Sequence, residues 1–326
     1  MGRIGPQRTR SDEPAAPGRL IDMIPASQFS DPSTDGADVH SGASAGRPPL
    51  PAAVLIPLQE SEFAYEQYWG LRCRPFDNVP DPRFYVATPG HESARQRLLY
   101  GIQARKGAVM LTGEIGCGKT LLSRALVLNL PESRYDVALI ANPSFSSKDF
   151  LCEVLSQLGI SAGGSKVRLL HRLNEHLLAN HHKQVDTVIV IDEAQAIESR
   201  RLFEELRLLL NFQTNDAFLV TLVLMGQPEL RQKVDRIPQL SQRIAIRYHL
   251  ATFTLEDTRA YMNARLLVAG ASRPIFSKEA VSRIHEQGRG VCRLINTLCD
   301  LCLLLGSLGR MSEIDESTVR EAANIG

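Results

Sequence analysis

The residues with the clearest chemical purpose lie near the middle of the chain. Gly113-Glu114-Ile115-Gly116-Cys117-Gly118-Lys119-Thr120 has the spacing GxxxxGK[ST], with a short apolar run, Ala108 to Thr112, before it and a helical pattern after it. Glycines let the backbone curl so that successive N–H groups point inward. The N-terminus of the following helix adds partial positive charge, so such a loop suits a triphosphate. In that setting Lys119 reaches the β- and γ-phosphates and Thr120 offers its hydroxyl to Mg²⁺. ATP and Mg²⁺ are the expected ligands.

The run TVIVIDEAQ supplies a partner for the loop. Its apolar residues form a buried strand that delivers Asp192 to the C-terminal edge of a sheet, the edge at which doubly wound sheets bind ligands. There Asp192 holds Mg²⁺, and Glu193 beside it orients and deprotonates an attacking water. Hydrolysis is therefore expected as well as binding. DEAQ also resembles helicase motif II, but residues 251–326 cannot supply the second motor domain that a helicase needs.

Four more side chains are candidates, one of them as a second choice. Another strand ends in LVLMGQPEL, which puts Gln227 where a polar group senses the γ-phosphate or the water. Arg243 precedes the last strand and is a candidate arginine finger for a neighbouring subunit's nucleotide, with Arg247 the second choice. Arg293 begins a later helix and is placed to contact the γ-phosphate from the opposite side.

The elements that must position these groups follow from periodicity. A helix from His91 to Lys106 ends at Gly107, and the loop lies between a strand and a helix running Thr120 to Leu130. Strands at Val137 to Ile140, Thr187 to Ile191, Phe218 to Met225 and Ile244 to His249 alternate with helices. This predicts an α/β, P-loop parallel sheet covered on both faces. From Thr254 onward the pattern is helical only, with Thr254 and Ser277 as N-caps. The expected domains are a Pro/Gly/Ser-rich leader at 1–60, a nucleotide-binding α/β domain at 61–250 and a small all-helical lid at 251–326. The aromatics Phe63, Tyr65, Tyr68, Trp69 and Phe76 open the ordered part, as a core-packing brace or as a surface for protein contact.

Composition excludes several classes. The 326 residues carry 37 Lys+Arg against 36 Asp+Glu, and no basic arm for nucleic acid stands out. No apolar run is long enough for a membrane span. The arginines at the start lack the apolar stretch of a secretory signal, so a cytoplasmic location is expected. The leader holds 9 of the 18 prolines and Phe29 as its one aromatic, too few core formers to fold, and is expected to be disordered. Of the six cysteines, Cys292, Cys299 and Cys302 share an apolar helical face and read as buried thiols rather than metal ligands.

Taken in order, GxxxxGKT, the strand ending in DEAQ, the strand ending in GQPEL, QRI before the last strand and a helical segment with an arginine resemble an AAA+ ATPase. YWGLRCRPFDNVPDPRFY, FEELRLLLNFQT, VLMGQPEL, QRIAIRYHL and GVCRLIN narrow the resemblance to the general secretion pathway protein A (ExeA-like) group. The resemblance implies a five-stranded parallel core with a helical lid, ATP between them and self-association. It makes Lys119, Thr120, Asp192 and Glu193 the ATP, Mg²⁺ and water-activating residues, and Gln227 and Arg293 sensors. Where similar proteins read GxPR, this chain has Gly290-Val291-Cys292-Arg293.

Members of that group often continue into a membrane helix and a peptidoglycan-binding domain, neither of which follows before Gly326. Similar modules also serve as transposition regulators of the TniB/TnsC type, which assemble on DNA. The resemblance thus implies an ATPase acting on a protein partner in secretion or envelope assembly, cytoplasmic or peripheral to the inner membrane through that partner. A DNA-dependent ATPase is the alternative, and a nucleotide-gated switch with little turnover is a third.

Overall fold

A computed structural model describes residues 65–325. The expectation of disorder for residues 1–60 lies outside the described residues.

Five strands, β1 (Ala108–Gly113), β2 (Tyr135–Ile140), β3 (Asp186–Ile191), β4 (Val220–Gly226) and β5 (Ile244–Leu250), form one parallel sheet in the order β2-β3-β4-β1-β5. β4 is buried along its whole length, as is β1, whereas edge strand β5 is buried only at its ends and alternates between exposed and half-buried residues in between. That contrast follows from covering both faces of a parallel sheet: inner strands are buried throughout and edges are not. Alternate side chains point to opposite faces. Met110, Ile189 and Leu224 enter one core with helices α4 (Ser147–Gln157), α5 (Lys166–His182) and α6 (Arg200–Leu209). Leu111, Val190 and Met225 enter the other with α2 (Pro89–Gln103) and α3 (Lys119–Leu128).

The register brings the functional loops together. Thr112 pairs with Gly226, and Leu224 pairs with Ile191, so β1, β4 and β3 end side by side at one edge. Because β4 lies between β1 and β3, the residue after Gly226 falls between the glycine loop and the Asp192–Glu193 pair.

Helix α2 begins two residues earlier than its periodicity predicts, since Pro89 suits the first helical position, where no N–H is needed. It also ends earlier, at Gln103; Arg105 takes a left-handed conformation before Gly107 at φ +75°. Two short helices, α7 (Glu229–Asp235) and α8 (Pro238–Ser241), join β4 to β5.

Helices α9 (Leu255–Val268), α10 (Lys278–Gly288), α11 (Cys292–Leu308) and α12 (Glu316–Ile325) make a helical C-terminal part, where the sequence leads one to expect the lid, and are called the lid. Thr254 and Asp257 form a capping box at α9, and Ser277 caps α10 through the N–H of Ala280, as the sequence predicts. Cys292, Cys299 and Cys302 are buried in the lid core. These helices do not fill that core alone. Tyr65 and Trp69 of the short helix α1 (Tyr65–Trp69), with Leu71 and Phe76, pack into it from the N-terminal side of the sheet domain. The indole N–H of Trp69 donates to the Leu303 carbonyl at 2.8 Å, and the Tyr65 hydroxyl donates to Asp300. The aromatic segment is therefore a brace for the lid; Tyr68 stays exposed, and Phe63 lies outside the described residues.

A strap continues from the brace to the sheet. The Arg265 guanidinium, only 3% exposed, donates to the carbonyls of Pro75 and Asp77 and to the Tyr261 hydroxyl. It also lies 4.8 Å from the Phe84 ring centre. A buried cation with several neutral acceptors and an aromatic face is compensated without a carboxylate. Asn296 donates to Asn78 and accepts from Tyr261, so strap and lid form one wall.

Candidate nucleotide site

The glycine loop depends on backbone conformations that side chains resist. Gly116 has φ +77° and Gly118 φ +95°. A Cβ on Gly118 would lie 2.9 Å from His91 Nε2, and one on Gly113 would lie 2.9 Å from the Leu250 carbonyl oxygen. Below the loop, His91 is buried, with Nε2 donating to the Cys117 carbonyl at 3.0 Å and Nδ1 accepting from the Thr88 hydroxyl at 2.8 Å. Burial pushes the His91 imidazole below its usual value, opposed by the bond to Cys117 and the charge of Asp257. The neutral ring thus braces the loop from α2.

Lys119 is buried, and its ammonium donates to the carbonyls of Gly113 and Glu114, each at 2.8 Å. Both acceptors belong to the loop itself, so the cation is held within the loop's own turn. The Cys117 side chain is buried beneath the loop and its thiol is pushed up by that burial; only its backbone is available to a ligand. Ile115, Gly116, Gly118, Lys119 and Thr120 line a cavity of about 380 Å³.

The same cavity is lined by Glu193, Gln227 and Arg293, and by Asp77, Asn78, Val79 and Pro80 of the strap. The backbone N–H of Arg293 donates to the Gly116 carbonyl at 3.1 Å, so the start of α11 rests on the loop although it lacks the proline of similar proteins. Asp192 is buried beside the cavity. It accepts from the Ser123 hydroxyl of α3 at 3.4 Å and from the Glu193 N–H at 2.9 Å. Burial raises its carboxyl, opposed by the Thr120 hydroxyl and the Glu193 N–H.

These groups fit a magnesium-bound triphosphate. Asp192 and Thr120 are hard oxygen donors in mutual reach, Lys119 supplies a cation, and the loop glycines take the left-handed conformations that a phosphate cradle uses. Asp192 and Thr120 are the residues that would hold Mg²⁺.

Arg243 and Arg247 are not among the residues that line this cavity. Arg243 donates to the Leu210 carbonyl at the end of α6 at 2.7 Å, and Arg247 pairs with Asp235 of α7 at 2.8 Å.

Gln195 carries no assignment from sequence, yet it ties two candidates together. Its amide N–H donates to the Glu193 carboxylate, and its amide oxygen accepts from the Gln227 N–H at 3.0 Å. Ser123 and Arg265 are likewise without a local signature. Gln195 had one weak signal, its place two residues after Glu193; Arg265 had none beyond a charged residue on an amphipathic helix.

An AAA domain family matches residues 102–234, from the end of α2 through most of α7. General secretion pathway protein A of Aeromonas hydrophila is 39% identical over 244 residues, which is 74% of this chain. The chain is an AAA+ ATPase resembling general secretion pathway protein A. It spans 44% of that relative's length. Among solved structures, the Aeropyrum pernix ORC2 protein in ADPNP–ADP complexes is 17% identical with a TM-score of 0.59, covering 77% of this chain and 71% of that one. Drosophila ORC bound to DNA is also 17% identical, with a TM-score of 0.61, covering 87% and 70%. At such identity these establish the fold of the AAA+ ATPase alone: a parallel P-loop sheet followed by helices. Among the described residues, no helix is long and apolar enough to cross a membrane.

Proposed function

We propose that this AAA+ ATPase binds and hydrolyses ATP with Mg²⁺ in the loop cavity. On this reading it couples turnover to the assembly or remodelling of a protein partner in secretion or envelope biogenesis. The observation that carries the reading is the convergence of Lys119, Glu193, Gln227 and Arg293 on one cavity, with Asp192 and Thr120 in mutual reach.

The residues have distinct tasks. Loop N–H groups and Lys119 bind the phosphates; Thr120 and Asp192 hold the metal; Glu193 takes a proton from the attacking water; Gln227 orients that water or the γ-phosphate. Mg²⁺ bound there would neutralise charge developing on the β- and γ-phosphate oxygens. Arg293 contacts the nucleotide from the lid, and Arg243 of a neighbouring copy completes the site in a homo-oligomer, with Arg247 the second candidate. Resemblance to a general secretion pathway protein supports the choice of a protein partner, and a place in the cytoplasm at the inner membrane through that partner.

The test is an ATPase assay on the purified chain with and without Mg²⁺ and double-stranded DNA, at several salt concentrations. Mg²⁺-dependent turnover indifferent to DNA is expected. No turnover overturns hydrolysis, and strong, salt-sensitive stimulation by DNA replaces the protein-partner reading with a DNA-dependent one.

A further inference from the structure

The turn after β3 has an arrangement that nucleotide binding does not require. Glu193 has φ +50° and ψ +35°, a left-handed conformation that costs a residue with a side chain energy unless the surroundings enforce it. The following 3-10 turn, Ala194 to Ala196, is fastened from outside: the Lys233 ammonium of α7 donates to the carbonyls of Gln195 at 2.6 Å and Ile197 at 3.0 Å. Within the turn, the Gln195 side chain uses both ends of its amide, donating to the Glu193 carboxylate and accepting from the Gln227 N–H. Room for that amide exists because residue 226 is glycine. A Cβ there would lie 2.6 Å from Gln195 Oε1 and 3.2 Å from the Gln195 N.

We propose that Gln195 is a positioning residue for hydrolysis: it fixes the carboxylate of Glu193 relative to the end of β4, and thereby to Gln227. This rests on the hydrolysis reading given above. Only an amide serves both contacts. A carboxylate keeps the acceptor for the Gln227 N–H but loses the donor to Glu193 and adds a like charge; a methyl group loses both. Without the donor the Glu193 side chain is free to rotate away from the attacking water, and a misplacement of about 1 Å costs on the order of 100-fold in rate. Nucleotide affinity is set by other groups, so the effect falls on kcat.

The decisive comparison is steady-state ATPase kinetics of the full chain as wild type, Q195A, Q195E and E193Q, with ATP affinity by calorimetry and thermal stability measured on each. Q195E and Q195A are both expected to lose roughly ten- to 100-fold in kcat while the Kd for ATP stays within about twofold. A purely structural glutamine, needed only to satisfy the Gln227 N–H, would be replaced by glutamate without loss. Q195E with wild-type kcat therefore overturns the proposal, as does a loss confined to Kd. Should Q195A be too unstable to assay, Q195E, which keeps the Gln227 bond, decides alone. A wild type without turnover, or E193Q as fast as wild type, overturns the hydrolysis reading itself and this proposal with it.

Discussion

The backbone N–H of Arg293 donates to the carbonyl of Gly116 at 3.1 Å. The lid thus touches the phosphate loop through main chain, and the fit tolerates no side chain at residue 116. A Cβ there would lie 2.7 Å from Arg293 Cβ, at a φ of +77°. Gly116→Ala is expected to destabilise the protein by about 1–3 kcal/mol and to weaken ATP binding, since both the loop and the lid must shift. Urea unfolding and an ATP titration check both effects; unchanged affinity would mean that the lid contact is incidental to the site.

Lys119 and Glu193 should fail in different ways. Lys119→Ala removes a phosphate-binding cation and is expected to abolish nucleotide binding and turnover together. Glu193→Gln keeps shape and hydrogen bonding but not the base, so ATP remains bound while kcat falls by about 100-fold or more. Calorimetry beside a phosphate-release assay separates the two. Turnover by Glu193→Gln at the wild-type rate would remove Glu193 from the role of base.

Arg243 can be tested by mixing subunits. Losing its bond to the Leu210 carbonyl should cost about 1 kcal/mol of stability whatever its other role. If it completes a neighbour's site, Arg243→Ala is inactive alone but regains activity when mixed with inactive Lys119→Ala, which still presents Arg243. A mixture no more active than its components would reject the trans role.

His91 sets a pH limit. Burial holds its folded-state value below the ordinary 6.5, so the unfolded chain binds a proton more readily. The stabilisation from neutral His91 is complete above about pH 6.5 and is lost as pH falls through the folded value. Melting temperature should drop between about pH 7 and about pH 5 in the wild type and less steeply in His91→Gln. Parallel profiles would assign the drop to other groups.

Trp69 holds the brace against the lid. Trp69→Ala opens a large cavity and strands the Leu303 carbonyl, with an expected loss of about 3–5 kcal/mol. Denaturant unfolding should show it; a loss under about 1 kcal/mol would mean that the lid core closes without the brace.

The fold and the place of the candidate site were legible in the sequence because their signals are local. A GxxxxGKT spacing and an apolar strand ending in Asp192-Glu193 declare themselves within a few residues, and the alternation of periods declares the parallel sheet. Gln227 follows from the end of its strand, although only the strand order shows that it falls between the other two loops. What could not be read are contacts between distant segments. Nothing near Trp69 announces Leu303, and nothing in the amphipathic pattern of α9 marks Arg265 as the anchor of the strap rather than a solvated charge. Gln195 was visible yet mute, since its proposed role depends on the N–H of Gln227, just beyond the end of another strand.

The brace has a consequence for how the molecule is made. Tyr65 and Asp300 are 235 positions apart and Trp69 and Leu303 are 234 apart, so one half of the lid leaves the ribosome long before the other. The sheet and its covering helices can form in the interval, while Tyr65, Trp69 and Phe76 wait with their apolar surfaces exposed to water and to other proteins. The cavity that strap, loop and lid share is therefore completed late, after the whole sheet, once Arg293 and Asn296 have been added to its lining. On the proposed reading, a nascent chain has no finished nucleotide site until Arg293 and Asn296 line it and Leu303 has met Trp69.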